Sequence, residues 1–194
     1  MGGSGDFFCF PFYDGDTYGV MGQYRFCFSK ETLITVLGKD QSFKRSISEI
    51  KKNDYVLTLN GNEKIYSKVT ENKKYDNVVP FYTFKLMTDK SSNCKFISVT
   101  GNHSMIIFGK SNEAHFKYAN QVQKGDLIRT IDGISEVVEI KKEVKKNCYQ
   151  LVVEQGSVLA NDILVGAIYF KENESRKQFD KILEAAKIPV DKTN

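Results

Sequence analysis

Cys27 stands between two phenylalanines in "RFCFSKETLITV", and His103, one of only two histidines, closes the stretch "TGNH". A thiol and an imidazole are the parts of a nucleophile and its proton carrier. A nucleophile also needs donors for an oxyanion, and Thr100, three residues before His103, can supply one hydrogen bond. On a strand, residues three apart point to opposite faces. Gly101-Asn102 signals a turn, and a turn there would bring Thr100 and His103 to one spot. The ordinary reading of a lone cysteine is a buried structural thiol, and spacing alone leaves that reading open.

The other reactive side chains have plainer readings. His115 lies in "NEAHFKY", read as a solvated loop without a role. Cys94 and Cys148 read as core or loop thiols. Asp54 and Asp126 read as residues that cap turns. The four cysteines (Cys9, Cys27, Cys94, Cys148) fit neither a zinc spacing nor a disulfide framework, so no metal or cofactor is expected. A reduced, intracellular chain is the favoured expectation, although the compartment stays undetermined. The glycosylation sequon "NHS" would fall on the suspected site, which points the same way.

These residues must be positioned by β-structure. From about Leu33 to Ile168 the chain reads as short β-branched and aromatic strands: "LITVL", "YVLTL", "FYTFKL", "FISV", "SMIIF", "LIRTI", "VVEI", "YQLVV" and "DILVGAI". Turn signals such as "LNGNE", "QKGD", "IDGI" and "EQGS" separate them. The pattern is all-β. Residues 48–58, "SEIKKNDYVLT", resemble residues 120–130, "NQVQKGDLIRT": Ile50, Lys52, Asp54, Val56 and Thr58 match Val122, Lys124, Asp126, Ile128 and Thr130 at one constant offset. Such recurrence points to an internal duplication. At the end, "NESRKQFDKILEAAKI" has helical spacing, with Ser175 and Gln178 able to form a capping box. Its mixed charges fit a helix packed on the domain rather than one lying on a membrane.

Composition bounds the partners. The 194 residues are 41% hydrophobic, enough for a real core. The net charge of +4 comes from 28 basic and 24 acidic residues, and the lysines are scattered, so nothing suggests nucleic acid. No apolar run approaches the ~20 residues of a membrane span, and the start lacks signal-peptide features. "MGGSG" reads as an artificial leader or as a degraded myristoylation signal, with Asp6 where Ser or Thr belongs. A monomer is expected.

Several stretches together resemble one family, the Hint (Hedgehog/intein) self-processing domains. "CFSKETLITV" is similar to their opening, "TGNH" matches their Thr-x-x-His motif, and "SEIKKNDYVLT" looks like the block that follows the opening. "CYQLVVEQGSVLANDILVGAI" is similar to the closing blocks. The resemblance covers residues 27–168 and implies a pseudo-twofold duplicated β fold with a short C-terminal helix. It divides the chain into an upstream segment 1–26, a Hint domain 27–168 and a helix and tail 169–194. It implies Cys27, Thr100 and His103 as catalytic residues and Phe26–Cys27 as the scissile bond, with Asn102, Cys148 and Gln150 as support.

The departures are as informative. Splicing domains end in His-Asn, where this chain has Gly166-Ala167, and alanine has no side-chain amide to cyclise. Gln150 stands where an Asp is common. The loop that carries a sterol-activating acid in the Hedgehog class reads here as "TENKKYDN", dominated by Lys73 and Lys74, with Asp76 not alignable. The implied reaction is an N–S acyl shift at Cys27, then release of the chain's own segment 1–26 to water or a small nucleophile, without splicing. Rival expectations are a Hint-like spacer that no longer cleaves and a Cys–His peptidase acting on other chains. Asn161, in "VLANDIL", does carry a carboxamide but is expected within a strand, away from its own carbonyl.

Overall fold

The structure, a computed structural model, describes residues 26–88, 91–167 and 175–188. Twelve strands occur in it: β1 (Phe28–Ser29), β2 (Leu33–Leu37), β3 (Ser42–Ser46), β4 (Tyr55–Asn60), β5 (Glu63–Thr88), β6 (Ser91–Thr100), β7 (Ser104–Phe108), β8 (Ala114–Tyr118), β9 (Leu127–Thr130), β10 (Gly133–Val153), β11 (Ser157–Ala160) and β12 (Ile163–Gly166). Helix α1 spans Ser175–Ala186. The strands form one antiparallel sheet in the order β10-β1-β6-β5-β4-β2-β11-β12-β9-β7-β8, with β3 on β2. Further pairings of β10 with β5 and β9, and of β12 with β7, curl the sheet back on itself. The all-β expectation is met.

The duplication is visible in the hydrogen bonds. In the first half, the amide of Asn53 (φ 74°) donates to Val69 O at 2.9 Å, and Val69 N returns a bond to Asp54 O at 2.8 Å. In the second, Gly125 (φ 89°) donates to Val137 O at 2.9 Å and Val137 N returns to Asp126 O at 2.9 Å. Both turns need a left-handed residue, and Asn and Gly are the types that tolerate it. Asp54 and Asp126 accept from the amides of Lys51 (2.8 Å) and Gln123 (2.9 Å), so both cap their turns as expected.

Three sequence readings change. "TENKKYDN" is not a loop but the middle of β5, which pairs with β10 from Val69 to Met87. Its alternation was masked because Lys and Glu occupy positions exposed on both faces. His115 also lies on a strand, β8, opposite Ile107, with its side chain exposed. Asn161 sits in the turn between β11 and β12 (φ 50°), followed by Asp162 (φ 65°), the two-residue turn that matches strand twist.

The main core gathers Phe28, Ile34, Val56, Phe84, Val99, Met105, Ile128 and Val165. A second cluster, with Leu57, Ile106, Phe108 and Leu164, receives Ile182 and Ala186 of α1. The helix is therefore part of the fold, as its apolar stripe implies. Residues 1–25 and the side chain of Ser175, read as the helix cap, lie outside the described residues.

Candidate functional site

Strand β1 is only two residues long, but it is paired on both edges. Phe28 is opposite Tyr149 of β10 on one side and Val99 of β6 on the other. One residue earlier, this register sets Cys27 opposite Gln150 and Thr100. Thr100 N indeed donates to Cys27 O at 2.9 Å. Residues directly opposite share a face of the sheet, so Cys27, Thr100 and Gln150 point the same way. Cys27 is 1% exposed and packs with Phe81 and Cys148, with Tyr75 and Val79 at the margin.

Thr100 reaches the bond before Cys27. Its Oγ1 accepts from Cys27 N at 3.0 Å and donates to Asn102 Oδ1 at 2.9 Å. The turn at Gly101-Asn102 forms, closed by His103 N donating to Thr100 O at 2.9 Å. Asn102 thus orients the threonine hydroxyl so that its lone pair faces the Cys27 nitrogen.

His103 is 1% exposed and lies on the other side of the strand, edge-on to the Phe28 ring at 4.4 Å. Its Nε2 is 2.9 Å from Gly166 O. A carbonyl only accepts, so Nε2 carries the hydrogen and Nδ1 holds a bare lone pair. Nδ1 is buried and has no hydrogen-bond partner among the described residues. Burial pushes the imidazole pKa down to about 4, partly opposed by the bond to Gly166, so the ring is neutral at physiological pH.

Gln150 is buried and accepts at Oε1 from the Tyr75 hydroxyl at 3.1 Å. Cys148 reaches the cluster through an irregularity in β10: the β5 register shifts between Lys146 and Cys148, and Asn147 between them takes φ 67°. Such bulges re-aim the side chains that follow. Cys94 is half-buried on β6 and outside the cluster. His115 is exposed on β8 and outside the cluster.

Two contributors escaped the sequence reading. Gly166 offers only its backbone carbonyl, which no motif announces. Tyr75 sits in a lysine-rich stretch whose strand character was hidden. Downstream, Ala167 is buried, donating to Gly156 O at 2.9 Å and accepting from Val153 N at 2.9 Å. The Asn161 carboxamide is engaged at both ends, accepting from Leu33 N at 2.7 Å and donating to Phe96 O at 2.9 Å. Among the described residues no cluster of three metal-ligating side chains occurs, and no helix is long and apolar enough to cross a membrane.

No protein-family model and no curated protein sequence matches this chain. Solved structures do. An intein from a hyperthermophile superposes with a TM-score of 0.62 at 14% identity, covering 73% of this chain and 99% of its own. A DnaB intein from Synechocystis sp. PCC 6803 gives 0.57 at 18% identity, with 74% and 99% covered. A bacterial intein-like domain from Clostridium thermocellum gives 0.55 at 20% identity, with 72% and 97% covered. The antiparallel β-architecture that carries Cys27, Thr100 and His103 is therefore the Hint fold, shared with inteins and a bacterial intein-like domain.

Proposed function

We propose that residues 27–168 form a self-processing domain that cleaves the chain before Cys27 and does not splice. The observation that carries this reading is the hydrogen bond from the Cys27 amide to Thr100 Oγ1 at 3.0 Å. It fixes one particular peptide bond in a buried setting, beside a thiol belonging to the same residue.

The Cys27 thiol attacks the carbonyl carbon of Phe26 through a five-membered ring. The attack is intramolecular, with the entropic gain of proximity. His103, neutral and with Nδ1 unpartnered across the strand, is the carrier of the proton that the thiol sheds and that reaches the Cys27 nitrogen as the C–N bond breaks. Positioned proton transfer of this kind is worth about 10²–10⁴ in rate. Thr100 holds the scissile amide in place. Water, or an added thiol or amine, then resolves the thioester and releases residues 1–26. At the other end, neither Gly166 nor Ala167 has a carboxamide, and that of Asn161 is tied at both ends.

Intact-mass measurement of the full chain, with and without thiol or hydroxylamine, tests this directly. Two fragments, 1–26 and 27–194, appear faster with the nucleophile, and Cys27→Ala abolishes both while leaving the circular dichroism spectrum unchanged. Continued scission at the same bond in Cys27→Ala would rule out the thiol mechanism.

A further inference from the structure

A trans peptide bond points its C=O and its N–H in opposite directions, and no cis peptide occurs among the described residues. The Cys27 N–H points to Thr100 on β6. The carbonyl oxygen of Phe26 must therefore point away from β6, toward the flank occupied by β10. The residue that β10 places there, opposite Cys27 and on the same face as its side chain, is Gln150. The atom that becomes the oxyanion is thus turned away from Thr100 and toward the strand that carries Gln150.

The state of that carboxamide is specific. Its oxygen is engaged, accepting from the Tyr75 hydroxyl at 3.1 Å. This leaves Nε2, with two N–H donors, as the free end, and among the described residues Nε2 donates to none. Gln150 is only 6% exposed. Tyr75 has its own support: it packs against the Cys27–Phe81–Cys148 cluster, and Lys73 Nζ lies 5.7 Å from its ring centre.

We infer that Gln150 is the oxyanion donor of the acyl shift and that Tyr75 is its positioning residue. This rests on the self-cleavage reading above. As Sγ bonds to the Phe26 carbon, the carbonyl π pair moves onto oxygen, and a Gln150 N–H hydrogen-bonds the developing charge. When the tetrahedral centre collapses, the pair re-forms C=O, the C–N bond breaks, and the nitrogen keeps the pair and gains the proton lost by the thiol. Gln150 neither gains nor loses a proton. A donor of this kind acts in a preorganised, water-poor site, where it contributes most.

The test compares the full chain with Gln150→Ala, Gln150→Glu, Tyr75→Phe and Tyr75→Phe/Gln150→Ala, following fragment 27–194 by mass at saturating hydroxylamine. At saturation the acyl shift limits the rate, so access of the nucleophile does not confound the result. Gln150→Ala slows cleavage about 10²-fold. Tyr75→Phe slows it less, and adds nothing in the Gln150→Ala background, because the hydroxyl acts only through the amide. Gln150→Glu supplies the discriminating readout. A protonated carboxyl donates and an ionised one repels the oxyanion, so its rate relative to the parent chain rises as pH falls through the carboxyl range. A merely structural glutamine would give no such pH dependence in that ratio. Parent cleavage with unchanged rates in Gln150→Ala and Tyr75→Phe overturns the inference alone. So does a flat Gln150→Glu ratio. No cleavage in the parent chain overturns both this assignment and the self-cleavage reading.

Discussion

At the scale of single residues, the site divides its labour by face. Thiol, threonine hydroxyl and glutamine amide lie on one side of β1, and the imidazole approaches from the other, against Phe28. His103→Ala is expected to slow acyl transfer by about 10²–10⁴, while exposed His115→Ala leaves it nearly unchanged. Fragment yields over time check the pair, and equal slowing would displace His103 from its role. The buried imidazole also links stability to pH. Its folded pKa, about 4, lies below the ordinary imidazole value of 6.5. The unfolded chain therefore takes up a proton in that window while the folded one does not. The contribution is fully present above pH 6.5 and is lost as pH falls to about 4, amounting to roughly 3 kcal/mol at 1.36 kcal/mol per unit. Urea unfolding at pH 7 and pH 4.5 should show this part of the slope missing in His103→Gln.

At the scale of elements, what the sequence revealed and what it hid follow a physical line. Strands buried on at least one face were legible from their β-branched residues: β2 and β7 have the bounds of "LITVL" and "SMIIF". The exposed strand β3, the part-buried β8 and the outer reach of β5 were not, because their charged and polar side chains carry little period-2 signal. The candidate catalytic side chains were legible because thiol and imidazole are rare here. The Gly166 carbonyl and the Tyr75–Gln150 pair were not, since each exists only through pairing between distant strands. The same holds for Arg129, buried at 4% exposure without a carboxylate partner among its hydrogen bonds. Its Nη1 donates to Ala186 O at 2.5 Å and Lys187 O at 3.1 Å, and its Nη2 to Gly61 O at 2.6 Å. The guanidinium caps the C-terminal carbonyls of α1, where the helix dipole favours a cation. Arg129→Ala should lower stability by about 3 kcal/mol and raise hydrogen exchange through Phe179–Ala186, without touching the site. Exchange confined to other elements would separate the helix from this clamp.

At the scale of the whole molecule, the two ends have different fates. A reporter fused after residue 194 should stay attached to Cys27–Asn194 while residues 1–26 depart. Gel mobility and mass would show it, and release of the reporter after Asn161 or Ala167 would return the chain to the splicing class. The pairing of β1 has one more effect. Phe28 needs Val99 and Tyr149 as neighbours, and His103 needs the carbonyl of Gly166. None of these exists while the chain is still emerging from the ribosome. At about 5–20 residues per second, the stretch from Phe28 to Gly166 takes roughly 7–28 seconds to make. Non-local sheets then add their own delay in the millisecond-to-second range. On the self-cleavage reading, the bond before Cys27 is consequently inert throughout its own translation. On that reading, whatever precedes Cys27 has that interval to fold before release, and the closing strands act as the clock that ends it.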